Sequence, residues 1–467
     1  MGLMTGLPQV IEEAKKEYDG IGGTSSGISF TLAEELGTSE NLLAMGDNAG
    51  FMKHLLEVGD GVESLRGKIQ QIYIDPPFFS KASYDAVIKV QSSEGETAVK
   101  HMAYEDVWKE GMAEYLKMLC VRLMLMKDLL SDSGTIWVHL DWHGVHYVKL
   151  LMDEIFGEKN FINEIIWTYK SGGSSKKHFA RKHDTILVYS KTNKYYLNLP
   201  REKSYNRGLK PYRFKGVEEF QDETGWYTMV NMKDVWSIDM VGRTSAERTG
   251  YATQKPEALL ERIVAAGSRE GDICADFFCG SGTLGAAAGK LGRRWICCDN
   301  GPLAVAAAMK RLSRQGQSMK VARCLCGECH GDQQAAELTA SAYITPTLFS
   351  DKICLTVELI AYELREPVMA GNKVKQTHER VAKAAEDNPL TAIDFWSVDP
   401  DYDGHIFRPG PGAAFYRDKK GLCTEMKLEI PADDTGQRKI AVRTVDILGN
   451  ISCVILDGGE IFEKSRE

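Results

Sequence analysis

An acidic side chain and an aromatic ring follow a short apolar run, in the segment Asp75-Pro76-Pro77-Phe78. The run Ile72-Tyr73-Ile74 predicts a buried strand that ends where this segment begins. Because two consecutive prolines carry no N–H, the Asp75 carboxylate and the Pro76 carbonyl are left as hydrogen-bond acceptors. The Phe78 ring adds a flat apolar face. The segment could therefore hold a planar ligand by its N–H groups, and the alternative is a proline turn with one buried Phe.

A second loop suited to ligand binding lies further along the chain, in Asp276-Phe277-Phe278-Cys279-Gly280-Ser281-Gly282. Its glycines let the backbone approach a ligand, and the Ala-rich run from Thr283 to Leu291 predicts a helix that starts at the loop. The next predicted strand, residues 295–298, delivers Asp299 to a position suited to ribose hydroxyls. The same pattern fits a dinucleotide fingerprint, so a nicotinamide dehydrogenase is an alternative.

In this order, the two segments resemble the signature segments of the DNA amino-methyltransferases, which methylate N6 of adenine or N4 of cytosine. An Asp-Pro-Pro-aromatic segment ahead of the methyl-donor loop is the circularly permuted order of the β class, typical of type III restriction-modification modification subunits. The stretch Thr253-Gln254-Lys255-Pro256 is similar to the segment before the donor loop in that class. Residues 129–167 also resemble type III modification subunits. A dehydrogenase would leave Asp75-Pro76-Pro77-Phe78 unexplained.

The resemblance implies an α/β fold with a doubly wound mixed sheet, the permuted form of the S-adenosylmethionine-dependent methyltransferase fold, with an inserted recognition segment and a C-terminal β module. S-adenosyl-L-methionine would be the cofactor, and the methyl would pass directly to nitrogen. Asp-Pro-Pro favours adenine, because Ser-Pro-Pro is commoner in cytosine-N4 enzymes. An N4-cytosine methyltransferase and a catalytically silent DNA-binding specificity subunit with the same fold are the alternatives. No Pro-Cys dipeptide supplies the nucleophile of cytosine-C5 enzymes.

The resemblance also assigns roles to residues. Asp75, Pro76, Pro77 and Phe78 would be catalytic: the carboxylate and the Pro76 carbonyl would accept the amino hydrogens, and Phe78 would stack on a base extruded from the duplex. For Asp47 the alternative is a helix N-cap. The cofactor-binding residues would be Asp47, Lys255, Pro256, Asp276, Phe278, Gly280, Ser281, Gly282, Thr283 and Asp299.

The charge is unevenly distributed along the chain. The net charge of −8 argues against a nucleic-acid partner, yet residues 165–217 hold 13 basic and two acidic residues, interleaved with aromatic ones. This mixture is typical of a DNA surface, although a solvated charged face is the alternative. We therefore predict double-stranded DNA as a partner. The predicted DNA-binding residues are Lys176, Lys177, Arg181, Lys182, Arg207 and Arg213.

Length and composition are those of a large enzyme, with 467 residues of which 43% are hydrophobic. No apolar run reaches the roughly 18 residues that span a bilayer, and the first residues lack a signal-peptide pattern. Eleven cysteines without an evident framework are typical of reduced thiols. We therefore expect a cytoplasmic protein with no membrane partner. A homodimer and a cognate restriction subunit stay open as partners.

The predicted organisation has three parts. Residues 1–38 form an N-terminal lead, helical or irregular. Residues 39–334 form the methyltransferase catalytic domain, in which 168–250 are an inserted target-recognition region and 79–108 a mobile loop over the base pocket. Residues 335–467 form a C-terminal antiparallel β module. That module holds 16 basic and 22 acidic residues, which favours a protein-facing or folding role over contact with phosphates.

Two segments partly match the ligand patterns of metal sites, but we predict no metal site. Cys324, Cys326, Cys329 and His330 crowd four ligands into seven residues, whereas structural zinc sites use two separated pairs. The segment Asp399-Pro400-Asp401-Tyr402-Asp403-Gly404 begins like a calcium loop but has Gly410 at the twelfth position, where a Glu belongs. A hairpin turn is the better interpretation.

Overall fold

The structure is a computed structural model. In the ranges it describes, no helix is long and apolar enough to cross a bilayer. The described residues are 3–23, 30–57, 63–92, 95–170, 174–242, 244–324, 336–347, 351–365, 372–410, 412–418, 421–432, 438–459 and 461.

Ten strands form the main sheet, in the spatial order β1-β15-β2-β14-β13-β3-β6-β8-β7-β12. From β15 to β6 all neighbours run parallel, whereas β1 and β8 are antiparallel to theirs. The predicted mixed sheet is thus confirmed. The strands, numbered along the chain, are β1 (Phe30–Leu36), β2 (Leu42–Met45), β3 (Ile69–Ile74), β6 (Leu130–Leu140), β7 (Phe161–Thr168), β8 (His183–Ser190), β12 (Val235–Ser237), β13 (Ile273–Asp276), β14 (Arg294–Asp299) and β15 (Met319–Cys324).

Helices cover both faces of this sheet. Alternate residues of β3 point to the two sides: Ile72 and Ile74 join one hydrophobic cluster and Tyr73 the other. A strand buried on both faces is typical of parallel sheets, so the doubly wound arrangement is confirmed. The first cluster includes α1 (Leu3–Gly23), α2 (Asn48–Leu56), α3 (Met112–Leu129) and α4 (Val145–Phe156). The second includes α5 (Glu257–Gly267), α6 (Thr283–Lys290) and α7 (Pro302–Arg314).

The two motif-bearing strands are neighbours at the centre of the sheet. In the parallel pair of β3 and β13, Ala275 lies opposite Ile72, and β14 is the next strand. Because parallel strands end at the same edge, the loops that begin at Asp75, Asp276 and Asp299 open side by side.

The prediction for the N-terminal segment needs correction, because residues 30–36 are not a lead outside the sheet. They form β1, which pairs antiparallel with β15. Phe30 is buried and its ring lies 5.1 Å from that of Phe51. Burial of this ring against α2 holds the segment at the edge of the sheet.

The prediction of a mobile loop over residues 79–108 was wrong. Most of this stretch is a hairpin of β4 (Ser83–Ser92) and β5 (Gly95–Glu105), paired antiparallel. In β4 alternate residues are buried, namely Ala86, Ile88 and Val90. A strand that buries every second residue has no continuous apolar run, which explains the error.

The inserted region contains a small antiparallel sheet, in the order β10-β11-β9. After it the chain returns to the main sheet, where β12 pairs parallel with β7. The three strands are β9 (Arg201–Tyr205), β10 (Glu219–Gln221) and β11 (Trp226–Asn231).

In the described residues after 335, two antiparallel sheets and a helix form the C-terminal part, where the sequence predicted an antiparallel β module without a helix. Its core includes Ile88, Val90 and Val99, so the β4–β5 hairpin packs against it. The elements are β16 (Ala336–Pro346), β17 (Lys352–Leu364) and β20 (Glu425–Pro431) in one sheet, β18 (Ile393–Asp399), β19 (Ala414–Tyr416), β21 (Lys439–Asp446) and β22 (Ile451–Asp457) in the other, and α8 (Asn372–Ala384).

The two metal-like patterns have different outcomes. Asp399 accepts hydrogen bonds from the backbone N–H groups of Asp401 and Arg408, at 3.0 and 2.6 Å, as in a turn. Cys326, Cys329 and His330 lie outside the described residues.

Candidate active site

A cavity of about 590 Å³ opens at the edge where β3, β13 and β14 end. Residues of both predicted motifs line this cavity. Pro256 and Gly282 are the predicted catalytic or cofactor-binding residues that do not line it. Those that do are Asp47, Asp75, Pro76, Pro77, Phe78, Lys255, Asp276, Phe278, Gly280, Ser281, Thr283 and Asp299.

The Asp75 carboxylate is largely buried, and its two oxygens have different surroundings. Its side chain is 17% exposed, and its Oδ2 contacts the Lys255 ammonium, which is 9% exposed. The other oxygen, Oδ1, is buried with no hydrogen-bond partner among the described residues. A buried acceptor without a partner costs free energy unless a ligand supplies a donor. Oδ1 is therefore the atom at which an N–H of a ligand would be accepted.

Lys255 lies on the Asp75 side of the cavity. Besides its contact with Asp75, its Nζ lies 5.3 Å from the centre of the Phe78 ring. Thr283 at the start of α6 donates its hydroxyl to the Lys255 carbonyl at 3.3 Å. The residue thus connects the glycine loop to the Asp75 segment, whereas sequence reasoning assigned it to the cofactor alone.

An aspartate that sequence reasoning missed fixes the segment after Pro77. The Asp106 carboxylate accepts hydrogen bonds from the backbone N–H groups of Phe78, Phe79 and Ser80, at 3.1, 3.1 and 2.6 Å. Phe79 has a positive φ of 64°, which is uncommon for an aromatic residue. Asp106 therefore holds a strained turn that presents the Phe78 ring to the cavity.

The glycine loop is organised by two carboxylates. Asp276 accepts the Phe278 N–H at 2.9 Å, and Asp299 accepts the N–H groups of Gly280 and Gly301, both at 2.9 Å. Burial raises the pKa of Asp276 well above its ordinary value. Burial also raises the pKa of Asp299, against hydrogen bonds from Gly301 and Gly280 that lower it. Asp299 thus shapes the loop and still offers carboxylate lone pairs to the cavity.

Gly282 has a structural task in this loop. Its φ is 72°, and a Cβ there would lie 2.9 Å from the Cβ of Ala308. A side chain at this position would separate α6 from α7. Gly282 therefore permits close helix packing and does not line the cavity.

The N-cap interpretation of Asp47 is confirmed, and its role toward the cofactor stays a prediction. Asp47 is the N-cap of α2, where its carboxylate accepts the Gly50 N–H at 2.9 Å, and it also lines the cavity. Arg122 donates to its other oxygen at 2.6 Å. Sequence reasoning missed Arg122, since a basic residue within the long periodic helix α3 gave no signal of its own.

A buried polar chain underlies the Phe78 ring, which stacks on His139 with centroids 6.0 Å apart. His139 Nδ1 lies 2.8 Å from the Tyr73 hydroxyl and Nε2 3.3 Å from Asp184. Burial raises the pKa of Asp184, but hydrogen bonds from His139 and Tyr169 outweigh it and hold that pKa below its ordinary value. An ionised Asp184 can only accept, so the Nε2 of His139 carries a proton toward it.

The residues after β6 also reach the cavity. Asp141 lines it and holds His143, whose Nδ1 lies 2.7 Å from the carboxylate. Asp184, in β8, lines it as well. His139 was missed because it lies within an apolar strand, where a single histidine carries no signal.

The predicted DNA-binding residues lie outside the cavity. Lys176, Lys177, Arg181 and Lys182 belong to the β7–β8 connection, and the first three are exposed. The ends of this connection, Tyr169 and Asp184, line the cavity. Both ends of the connection therefore lie at the cavity. Arg207 and Arg213 are exposed in the small inserted sheet region.

Comparison with known proteins places these motifs in a family. The family model described as DNA methylase matches residues 69–310, from β3 into α7. The chain is similar to the type II methyltransferase M.EcaI of Enterobacter cloacae, at 29% identity over 58% of this chain and 69% of that protein. It is 26% identical to the DNA adenine methyltransferase YhdJ of Escherichia coli (strain K12), over 51% of this chain and 75% of YhdJ.

The resemblance to type III modification subunits is also found. The Mod subunit of the type III restriction-modification enzyme EcoP15I of Escherichia coli is 26% identical over 34% of this chain and 25% of that subunit. Among solved structures, the PvuII DNA methyltransferase (cytosine-N4-specific) covers 60% of this chain and 90% of its own, with 15% identity and a TM-score of 0.39.

The family match covers more than half of the chain and includes both loops that line the cavity. The chain therefore belongs to the S-adenosylmethionine-dependent DNA amino-methyltransferases, the DNA methylases of adenine N6 and cytosine N4.

Proposed function

We propose that this protein methylates the exocyclic amino group of a base extruded from double-stranded DNA, and that the base is adenine. The observation that carries the proposal is the free, buried Oδ1 of Asp75 in the same cavity as the glycine loop. An adenine target is supported by the Asp-Pro-Pro segment and by the name of the relative YhdJ, a DNA adenine methyltransferase. An N4-cytosine target remains the alternative.

The cavity suits a donor and a base together. Its volume of about 590 Å³ falls in the range of roughly 300–1,000 Å³ usual for small-molecule sites. We propose that Asp299 accepts from the ribose hydroxyls and that the backbone at Gly280 and Ser281 lies against the donor. When bound, S-adenosylmethionine supplies an electrophilic methyl group on sulfur.

Asp75 is placed to activate the amino group. The lone pair of an exocyclic amino nitrogen is delocalised into the base ring, which makes the nitrogen a poor nucleophile. A hydrogen bond from this amino group to Oδ1 draws the lone pair back toward the nitrogen. The Lys255 ammonium holds Oδ2, which leaves Oδ1 as the oxygen that can accept from a ligand. The amino nitrogen must lose a proton as it gains the methyl, and Asp75 is the acceptor nearest to it in this arrangement. Phe78, supported by His139, offers a face to the extruded base.

The domain organisation, the cellular location and the partners are also part of the proposal. We propose that the catalytic domain, predicted at 39–334, also includes β1, and that the target-recognition region lies within 168–250, which also contributes β8 and β12 to the main sheet. A cytoplasmic location is supported by the free thiols of the nine described cysteines. A cognate restriction subunit is suggested by the relative EcoP15I Mod, and a homodimer stays open.

Transfer of label tests the proposed function. The protein is incubated with S-adenosylmethionine labelled in its methyl group and with mixed-sequence plasmid DNA, and radioactivity in the washed DNA is measured. We expect label to accumulate with time. DNA that is retained by the protein without becoming labelled would instead identify a catalytically silent specificity subunit.

Asp299→Ala is expected to weaken donor binding by at least about 1.5–3 kcal/mol. It removes the proposed acceptor of the ribose hydroxyls and also the two backbone hydrogen bonds that shape the glycine loop. Calorimetric titration with S-adenosylhomocysteine measures the loss. Asp272→Ala, outside the cavity, is the control, and unchanged affinity of the Asp299 variant would refute the assignment. Heat from NADH instead would revive the dehydrogenase alternative.

Reversing Lys176, Lys177 and Arg181 to Glu is expected to weaken DNA binding and to flatten its salt dependence. None of the three pairs with a carboxylate among the described residues, and each lost phosphate contact lowers the slope of log K against log salt by about one. Donor affinity should not change. The charge-matched control reverses Lys290, Lys352 and Lys427. An equal change in the slope of log K against log salt in both variants would show that the β7–β8 connection is only a solvated surface.

A further inference from the structure

Phe179 is the most exposed large apolar side chain in the described part of the protein. It is 99% exposed, whereas the next, Phe214, is 62% exposed. Leaving an aromatic ring fully in water forgoes the stabilisation that burial of its area would give. The ring therefore contributes nothing to the packing of this fold.

The backbone around Phe179 is nevertheless ordered by local hydrogen bonds. The Ser175 hydroxyl accepts from the N–H groups of Lys177 and His178, each at 3.2 Å. His178 Nδ1 lies 2.9 Å from the Phe179 carbonyl oxygen. These contacts shape a turn that presents the ring outward.

Both ends of the loop that carries this turn lie at the cavity. The chain leaves the cavity at Tyr169 and returns to it at Asp184, and the Tyr169 hydroxyl donates to Asp184 at 3.2 Å. Beside Phe179, the Arg181 guanidinium lies 4.1 Å from the centre of the Trp142 ring. Trp142 directly follows Asp141, which lines the cavity. The loop is thus tied to the rim on both sides.

Positive charge flanks the exposed ring. Lys176, Lys177 and Arg181 are exposed on either side of it, and within the described ranges none of them is engaged by an acidic side chain. An apolar ring flanked by cations that have no carboxylate partner in the described ranges suits a duplex, whose phosphates lie outside and whose stacked bases lie between them. A protein partner would have to neutralise these charges with acidic groups of its own.

We propose that Phe179 is a wedge that enters the DNA duplex where the target base leaves it. This inference rests on the proposed function. Extruding a base costs a few kcal/mol in lost stacking and pairing, and an inserted apolar ring restores part of the stacking. Lys176, Lys177 and Arg181 would hold the adjoining phosphates. Phe179 is then a positioning residue, because it acts on the duplex and not on the reacting atoms.

The test compares matched and mismatched targets. Wild-type protein first methylates plasmid DNA, and the modified site is located by sequencing. Two short duplexes are then made with that site, one with the target base paired and one with it opposite a mismatch, because an unpaired base needs less energy to extrude. Failure of the proposed function would appear as wild-type protein that labels no DNA, whereas failure of the wedge would appear as a Phe179 variant that behaves like wild type on both duplexes.

Phe179→Ala is expected to slow methylation of the matched duplex at least about tenfold and that of the mismatched duplex less than about threefold. Phe179→Trp should keep most of the activity, because it retains a stacking face. Phe214→Ala, which removes another exposed aromatic ring of the inserted region, is the matched control and should not discriminate between the duplexes. The melting temperature of Phe179→Ala should equal that of wild type, since the ring is unpacked.

A second readout does not depend on the chemical step. With 2-aminopurine in place of the target base and S-adenosylhomocysteine present, extrusion raises fluorescence. We expect a strong rise with wild-type protein and a weak one with Phe179→Ala at saturating protein. Equal fluorescence, or an equal loss of methylation on both duplexes, would overturn the wedge and leave Phe179 as an ordinary contact.

Discussion

Asp75→Asn is expected to abolish methyl transfer while leaving donor binding nearly unchanged. The variant keeps the shape of the side chain and can still accept from Lys255 through its amide oxygen, but it places an N–H₂ group or a neutral acceptor where Oδ1 would meet the amino group. Charge-assisted hydrogen bonds are worth roughly 1.5–3 kcal/mol, so the rate should fall at least about tenfold. The measurement is the initial rate of labelling of DNA.

Calorimetric titration with S-adenosylhomocysteine supplies the control for this variant. The glycine loop is organised by Asp276 and Asp299, so donor affinity should stay within about twofold of wild type, less than about 0.5 kcal/mol. Asp75→Ala should be at least as inactive. A variant that methylates DNA at more than half of the wild-type rate would remove Asp75 from the catalytic role.

Lys255→Met is expected to destabilise the protein by about 3 kcal/mol, toward the lower end of what unpairing a buried charge costs. Asp75 would then keep a sheltered carboxylate without its cation. The double variant Asp75→Asn/Lys255→Met should recover most of this stability, because neither charge is left unpaired, but it should remain inactive. Thermal and denaturant unfolding measure the three variants.

An exposed ion pair provides the comparison. Lys290, which is 61% exposed, contacts Glu261, and Lys290→Met should cost at most about 1 kcal/mol. If Lys255→Met is as mild as Lys290→Met, or if the double variant is less stable than either single one, the Lys255–Asp75 contact is not the buried pair described above.

The motif residues could be predicted because each motif is contiguous and follows an apolar strand. Asp75 and Asp276 lie far apart in sequence, yet their strands β3 and β13 are parallel neighbours. The carboxyl ends of parallel strands share an edge, so the meeting of the two loops followed from the fold class.

The residues that hold the motif residues in place could not be predicted from the sequence. Their hydrogen-bond partners lie far away in the chain, or the residues lie in segments whose sequence is that of any helix or strand. Asp106 sits after β5 and reaches back to the Phe78 loop, a contact that depends on the β4–β5 hairpin. That hairpin in turn packs its alternate side chains on the C-terminal core. His139 lies in the apolar strand β6, where a single histidine does not indicate a functional site. In each case the relevant signal is a tertiary contact that periodicity does not encode.

The most direct test of the central claim is the identity of the methylated nucleoside. DNA labelled by the wild-type protein is digested to nucleosides, separated and analysed by mass spectrometry, with the Asp75→Asn variant beside it. We expect label in N6-methyl-2′-deoxyadenosine with the wild type and at most about a tenth as much with the variant. N4-methylcytosine would contradict the adenine assignment. Label in a ring carbon such as C5 of cytosine, or label in the variant at more than half of the wild-type level, would contradict transfer to an amino group held by Asp75.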